Sequence, residues 1–394
     1  MNLKTAVVKE SSKMKKIRVK AAVINGVNED YQFEELTLGE LYPDEVIVKM
    51  VASGMCHSDE ALRVGDAAYP LPAVLGHEGA GIIEEVGSSV KDFKVGDQVI
   101  MAYNYCGTCP SCRTGHPSSC NQWTTLNMSG SRADGSHTFY KEDGTPVSNF
   151  FTQSSFAAHS ISNVNNLIKV DPEVDLRLVG PLGCGLLTGF GTVVNGLKAE
   201  VTSTIAVFGT GAVGLGTLMG AKIAGCSKII AIDIHDSRLE TAKELGVTHT
   251  INSRTENLAE RIAEITDGLG VNYSVDTTGI SSVMKASIDI LGIGGVTAPL
   301  AVTSNSLELN TFMDLVISNR SVAGVLMGDS VPQLAVPLLI ELHKEGKFPF
   351  EKLVKFYKFD DINRASAASN SGETIKPVLI IDESYRKDEP VAYQ

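Results

Sequence analysis

The sequence predicts a two-domain α/β protein in which a doubly wound parallel sheet of six strands joins a second, β-rich domain. Three observations carry this expectation. The 394 residues are more than one hydrophobic core usually holds. From about Pro181 onward, strands alternate with helices around a glycine turn. Before that point, short strands are separated by glycine- and aspartate-containing turns, the pattern of a small barrel. With 43% hydrophobic and 20% charged residues, wholesale disorder and fibrous repeats are excluded. A formal charge of −12 argues against a surface for phosphate backbones or anionic lipid, so neither nucleic acid nor a membrane is expected as a partner.

Taken in order, Leu3–Lys9 and Val19–Asn25 read as short strands, with residues 1–13 a peripheral extension. The basic N-terminus has no apolar stretch of the length a secretory signal needs, which points to a cytoplasmic protein. EVIVKMVAS, GAGIIEEVG and KVGDQVIM, between Asp44 and Met101, are the barrel strands. The second domain has strands at Thr204–Gly209, Lys228–Asp233, Val247–Asn252, Val271–Asp276, Gly295–Ala301 and Ser321–Met327. Ala212–Gly225, Ser237–Gly246 and Asn257–Thr266 are the helical connections. Val331–Gly346 is a further helix, after which the tail from Phe348 rejoins the first domain. The expected boundaries are 14–187 with 329–394 for the β-rich domain and 188–328 for the doubly wound one. Val201–Ala221 is free of charge for 21 residues, but its five glycines make it a strand, a turn and a buried helix rather than a membrane span.

The turn Gly209-Thr-Gly211-Ala-Val-Gly214 follows an apolar strand and opens a helix. Its glycines permit a tight turn, the approach of a pyrophosphate to the backbone, and close packing of helix on strand. Asp233 ends the next strand, 19 residues after Gly214, where a carboxylate can accept from the adenosine ribose hydroxyls and repel a 2′-phosphate. NAD is therefore expected over NADP. The alternative is an unliganded turn, with Asp233 capping a helix.

Cys106, Cys109, Cys112 and Cys120 follow the pattern C-x2-C-x2-C-x7-C, which suits one tetrahedral zinc with no position left for substrate. An iron–sulfur cluster and a redox dithiol pair are the alternatives. A nucleic-acid module is disfavoured, since the lobe offers just Arg113 and His116 to a phosphate. Cys56, His77 and Cys184 form a second set, Cys–His–Cys, of the kind that holds a catalytic zinc with its fourth position open. On the residues alone, two buried core thiols and a structural histidine explain them equally well.

GHEGAGIIEEVG (76–87), the four-cysteine lobe, GCGLLTGFG (183–191), GTGAVG (209–214) and SGETIKP (371–377) together resemble the zinc-dependent alcohol dehydrogenases of the medium-chain dehydrogenase/reductase superfamily. The likeness runs from about Met14 to the end of the chain. Residues 115–136 and 328–357 are most similar to its aryl-alcohol, or benzyl-alcohol, branch. The resemblance implies a Rossmann sheet with a GroES-like barrel, two zinc ions per subunit, NAD, and a homodimer or homotetramer. It makes Cys56, His77 and Cys184 the catalytic zinc ligands. Asp59 then orients His77, Glu78 is a transient ligand, and Ser58 takes the proton of the alcohol. His57 and Lys376 fall near the pyrophosphate, Thr188 and Val213 near the nicotinamide, and Arg238 beside Asp233. The activity implied is reversible oxidation of a primary, benzyl-type alcohol to its aldehyde.

Two positions depart from the family pattern. Ala61 stands where many relatives have a relay histidine, so the proton path ends on ribose and water or uses His57. Lys376 replaces an arginine, keeping the charge and losing the fork. Tyr103, Asn104, Tyr105, Trp123, Phe139 and Phe156 are candidates for the substrate pocket or for ordinary core. The competing readings are a dehydrogenase for aliphatic or terpenoid alcohols, and a silent dinucleotide-binding protein. An intact open zinc set argues against silence and against a zinc-free reductase.

Overall fold

The computed structural model describes residues 17–386 and 388–394, so the strand expected at Leu3–Lys9 and the extension 1–13 lie outside the described residues. Among the described residues ten strands precede Pro181: β1 (Arg18–Ile24), β2 (Gln32–Leu38), β3 (Glu45–Gly54), β4 (Ala73–Val74), β5 (Glu78–Val86), β6 (Gln98–Met101), β7 (Phe139–Tyr140), β8 (Pro146–Asn149), β9 (His159–Asn163) and β10 (Leu167–Lys169). Strands β1, β2, β7, β8 and β4 close into a small barrel, while β10, β6, β5 and β3 form a sheet beside it. In β1, Arg18 and Lys20 face out between the buried Val19 and Ala21, and the strand then runs fully buried through Ala22, Val23 and Ile24. β3 is buried almost throughout, because β5 pairs along one edge and β9 along part of the other.

The second sheet contains β11 (Thr204–Phe208), β12 (Lys228–Asp233), β13 (His249–Asn252), β14 (Val271–Asp276), β15 (Leu291–Pro299) and β16 (Ser321–Val322). Its order is β13-β12-β11-β14-β15-β16, with every pair parallel. Strand order reverses between β11 and β14, which opens a crevice at their C-terminal ends. The last strand is shorter than the alternation in Ser321–Met327 suggests. Only Ser321 and Val322 pair with β15, and Val325 packs instead on Gly196. The chain then makes a left-handed turn at Met327, Gly328 and Asp329.

The charge-free run divides into β11 and the helix Ala212–Ala224. Among the described residues no single helix is long and apolar enough to cross a membrane. The helix Gly185–Gly191 lies on Ala212–Ala224 so closely that a Cβ at Gly189 would strike the Val213 carbonyl and the Thr217 nitrogen. One apolar cluster runs from Val51 and Ile100 through Leu186, Phe190 and Leu215 to Val336, so the barrel side and the parallel sheet share a core. The tail returns as β17 (Val354–Lys358) and β18 (Lys376–Ile380), and β18 pairs with the end of β3 through Val378 and Gly54. That pairing delivers Lys376 beside Glu78.

Candidate active site and metal centres

The helix His57–Val64 starts where β3 ends, and its reciprocal cap builds the first half of the site. The Cys56 N–H donates to Asp59 Oδ2 at 3.0 Å. Asp59 Oδ1 accepts the Gly76 N–H at 3.0 Å and faces His77 Nδ1 at 2.9 Å. A carboxylate only accepts, so His77 carries its proton on Nδ1 and presents a lone pair on Nε2. Nε2 is buried and has no hydrogen-bond partner. The ligand atoms of Cys56, His77 and Cys184 lie within 4.8 Å of one another.

Buried polar atoms are almost always paired, and an orphaned imidazole nitrogen beside two thiols fits a soft cation such as zinc. The electrostatics agree. A hydrogen bond from Cys184 holds the Cys56 thiol well below its ordinary value, and the same contact pushes Cys184 up. Burial opposes a charge on His77, but Asp59 and Cys56 outweigh it and raise the basicity of the ring, so Nε2 is a good donor to a cation that takes a proton's place. Behind the cluster, Lys376 Nζ sits 2.9 Å from each oxygen of Glu78 and 2.9 Å from the Met55 carbonyl. Burial pushes the Glu78 carboxyl up against the pull of Lys376. Although burial disfavours the ammonium, Glu78 holds Lys376 protonated, and contact with both oxygens makes this an ion pair.

The second group is the lobe. The sulfurs of Cys106, Cys109, Cys112 and Cys120 also lie within 4.8 Å of one another. N–H groups of Cys109 and Cys106 point at the sulfurs of Cys106 and Cys120, both at 3.3 Å, an arrangement that favours thiolates. Four sulfurs complete a tetrahedral shell, whereas the Cys56 cluster leaves one position free.

At the crevice, Gly209 has φ +84°, a left-handed turn that ends β11. A Cβ on Gly214 would collide with the Gly209 carbonyl oxygen, while the space beside Gly211 is open. The helix N-terminus and the open backbone at Gly211 together fit a pyrophosphate.

The comparisons with known proteins follow the same division. A zinc-binding dehydrogenase family model matches residues 212–343, and an alcohol dehydrogenase GroES-like domain model matches residues 42–145. A geraniol dehydrogenase of Castellaniella defragrans is 37% identical over 367 residues, 92% of this chain and 98% of that protein. The chain belongs to the zinc-dependent medium-chain alcohol dehydrogenases. Among solved structures, benzyl alcohol dehydrogenase from Acinetobacter calcoaceticus superposes with a TM-score of 0.88 at 43% identity, covering 93% of this chain and all of that one. An alcohol dehydrogenase zinc-binding domain protein from Burkholderia ambifaria reaches 0.89, also at 43% identity, with the same shares covered. Zinc and a nicotinamide dinucleotide are typical of this family.

The remaining residues of this alcohol dehydrogenase are less tightly gathered. Ser58 is half-buried, with Oγ 3.9 Å from Cys56 Sγ, and His57 beside it is exposed. Val213 reaches Gly185, the neighbour of Cys184, and Thr188 Oγ1 lies 3.9 Å from Met327 Sδ. Arg238 runs along Gly372 and leaves its Nε buried without a partner. Lys376 faces Glu78, so its charge is already engaged by that carboxylate.

Most of the aromatic candidates are structural. Tyr103 is fully buried and donates to the Ser330 carbonyl at 2.6 Å, Tyr105 meets Gln333 at 3.0 Å, and Asn104 pairs with Asn127. Phe139 and Phe156 are core. The rings packed against the metal cluster are instead those of Phe150 and Phe151, themselves buried, each with its ring centroid 4.9 Å from that of His77. Trp123 stacks edge-on against Phe151 and Tyr69 against Phe150. Sequence reasoning missed this pair because left-handed backbone at Phe151 and Thr152 aims the two rings, with no glycine or asparagine there to signal a turn. Gln153 fixes the loop by donating to the His77 and Ala102 carbonyls and accepting from the Gly79 N–H.

Proposed function

We propose that this dehydrogenase interconverts a primary aryl-type alcohol and its aldehyde with NAD as the hydride partner. The observation that carries this reading is the open Cys56/His77/Cys184 donor set lying under the paired rings of Phe150 and Phe151. Zinc held by those three residues supplies Lewis acidity that makes the substrate hydroxyl acidic near neutral pH, and nicotinamide supplies the hydride acceptor. Asp59 fixes the His77 tautomer through Nδ1. Ser58 Oγ would take the alcohol proton, and the cofactor ribose, solvent or His57 would receive it from there, since Ala61 bears no base. Phe150 and Phe151 hold a planar arm and exclude water. Thr188 and Val213 support the nicotinamide, His57 and the Gly209–Gly214 turn the pyrophosphate, and Asp233 with Arg238 the adenosine ribose.

A second zinc in the four-cysteine lobe is structural, giving two per subunit. Residues 14–187 with 329–394 form the catalytic unit and 188–328 the dinucleotide-binding unit. Phe312, Met313, Val316 and Ile317, each more than half exposed, support assembly into a homodimer or homotetramer.

A terpenoid alcohol is the second reading, favoured by the 37% identity to a geraniol dehydrogenase, and the same apolar wall accepts a flat allylic chain. Comparing kcat/KM for benzyl alcohol, geraniol and ethanol on one zinc-replete preparation tests both. Highest kcat/KM with benzyl alcohol supports the aryl reading, geraniol replaces it with the terpenoid one, and ethanol sinks both while leaving the chemistry intact.

A further inference from the structure

Asp233, the residue expected to read the adenosine ribose, has no unused acceptor. Its Oδ2 accepts the Thr210 N–H and the Thr210 hydroxyl, both at 2.7 Å. Its Oδ1 accepts the Ile234 N–H at 2.7 Å and the His235 N–H at 3.0 Å. A carboxylate has about four acceptor sites, so the shell is full before any ribose arrives. Three of the four donors are backbone N–H groups fixed by the glycine turn and the end of β12. The fourth is the one that rotates.

We infer that Thr210 sets coenzyme affinity and selectivity, its hydroxyl occupying at Asp233 the place that a ribose hydroxyl takes when NAD binds. This rests on the reading of Asp233 as the ribose acceptor. Thr210 is itself fully buried, between Gly209 and Gly211, so its hydroxyl cannot swing into water when displaced. Each binding event therefore breaks one charge-assisted hydrogen bond to make another, and the net gain from the ribose is reduced. The hydroxyl also neutralises part of the carboxylate's charge, which softens its repulsion of a 2′-phosphate. Thr210 is thus a positioning residue that acts through Asp233.

Titration of the zinc-replete enzyme with NADH and with NADPH, followed by nucleotide fluorescence, tests this without turnover. Thr210→Val keeps the shape and removes the donor. It is expected to tighten NADH by about threefold to tenfold and to raise the NADPH/NADH ratio of Kd, while Thr210→Ser behaves as the parent. Asp233→Gly is the control for the underlying reading. If Asp233→Gly shifts the ratio and Thr210→Val does not, the role of Thr210 is overturned and that of Asp233 stands. If neither shifts it, the Asp233 reading has failed and takes the inference with it. Equal weakening of both nucleotides by Thr210→Val, with a lowered Tm, would make the hydroxyl a purely structural tie and also overturn it.

Discussion

Asp59 divides one carboxylate among three groups: the Cys56 N–H, the Gly76 N–H and the Nδ1 of His77. The first two fix the backbone on either side of the metal donors, and the third fixes the ring between them. Replacing it with asparagine keeps the volume but removes the charge that sustains His77 basicity. Asp59→Asn is expected to cost about 10–100-fold in metal affinity. After dialysis against a mild chelator, metal content per chain should fall toward one, the lobe keeping its ion; retention of both would show that Asp59 is not needed to orient His77. The Lys376–Glu78 pair makes a different kind of claim, because both groups are sealed from water. Lys376→Met leaves Glu78 as a buried unpaired charge and should destabilise the chain by about 3–5 kcal/mol. Adding Glu78→Gln removes that charge and should recover a good part of the lost Tm, which simple loss of packing would not allow. Arginine at 376 would need room for its fork between Glu78 and the Met55 carbonyl.

Two elements hold these residues in place, and they were not equally legible. The cysteine lobe announces itself by spacing, since four sulfurs within fifteen residues suit one tetrahedral ion. Its anchor does not. His116 and Ser118 both bond to Asp329, at 2.9 Å each, across more than 200 residues of chain. The loop carrying Phe150 and Phe151 gave no sign, because buried side-chain bonds from Gln153 and Ser154, not local propensity, hold its left-handed backbone. The Cys56/His77/Cys184 set was readable through family resemblance and not through spacing, as Cys184 is brought in by the packing of Gly185–Gly191 on Ala212–Ala224. The two metal groups should therefore fail differently. Cys109→Ala is expected to lower Tm by several degrees through loss of the lobe, whereas Cys56→Ala abolishes turnover with Tm nearly unchanged. Equal Tm losses, with turnover kept in Cys56→Ala, would contradict the division. Phe151→Ala should reduce kcat/KM for benzyl alcohol about tenfold and leave ethanol almost unaffected.

At the scale of the whole molecule, the parallel sheet ends on a strand of just two residues, and the chain beyond β15 leaves apolar surface uncovered. Phe312, Met313, Val316 and Ile317 fall one helical turn apart on the segment Thr311–Val316 and its cap. Ile293 is 89% exposed, and the hydrogen bond from the Gly294 N–H to the Ser318 carbonyl draws it toward the same face. A short edge strand protects a monomer from unwanted pairing, but five large apolar side chains around it do the opposite. A two-fold arrangement would bring this face against its own copy and bury the patch in one step. The expectation is a mass of two or four chains by light scattering at micromolar concentration. Met313→Asp combined with Val316→Asp should shift that mass toward one chain, because burying the new carboxylates without partners costs more than the contact returns. A parent protein that scatters as a monomer, or a double variant that stays assembled, would mean that this face is not where the subunits meet.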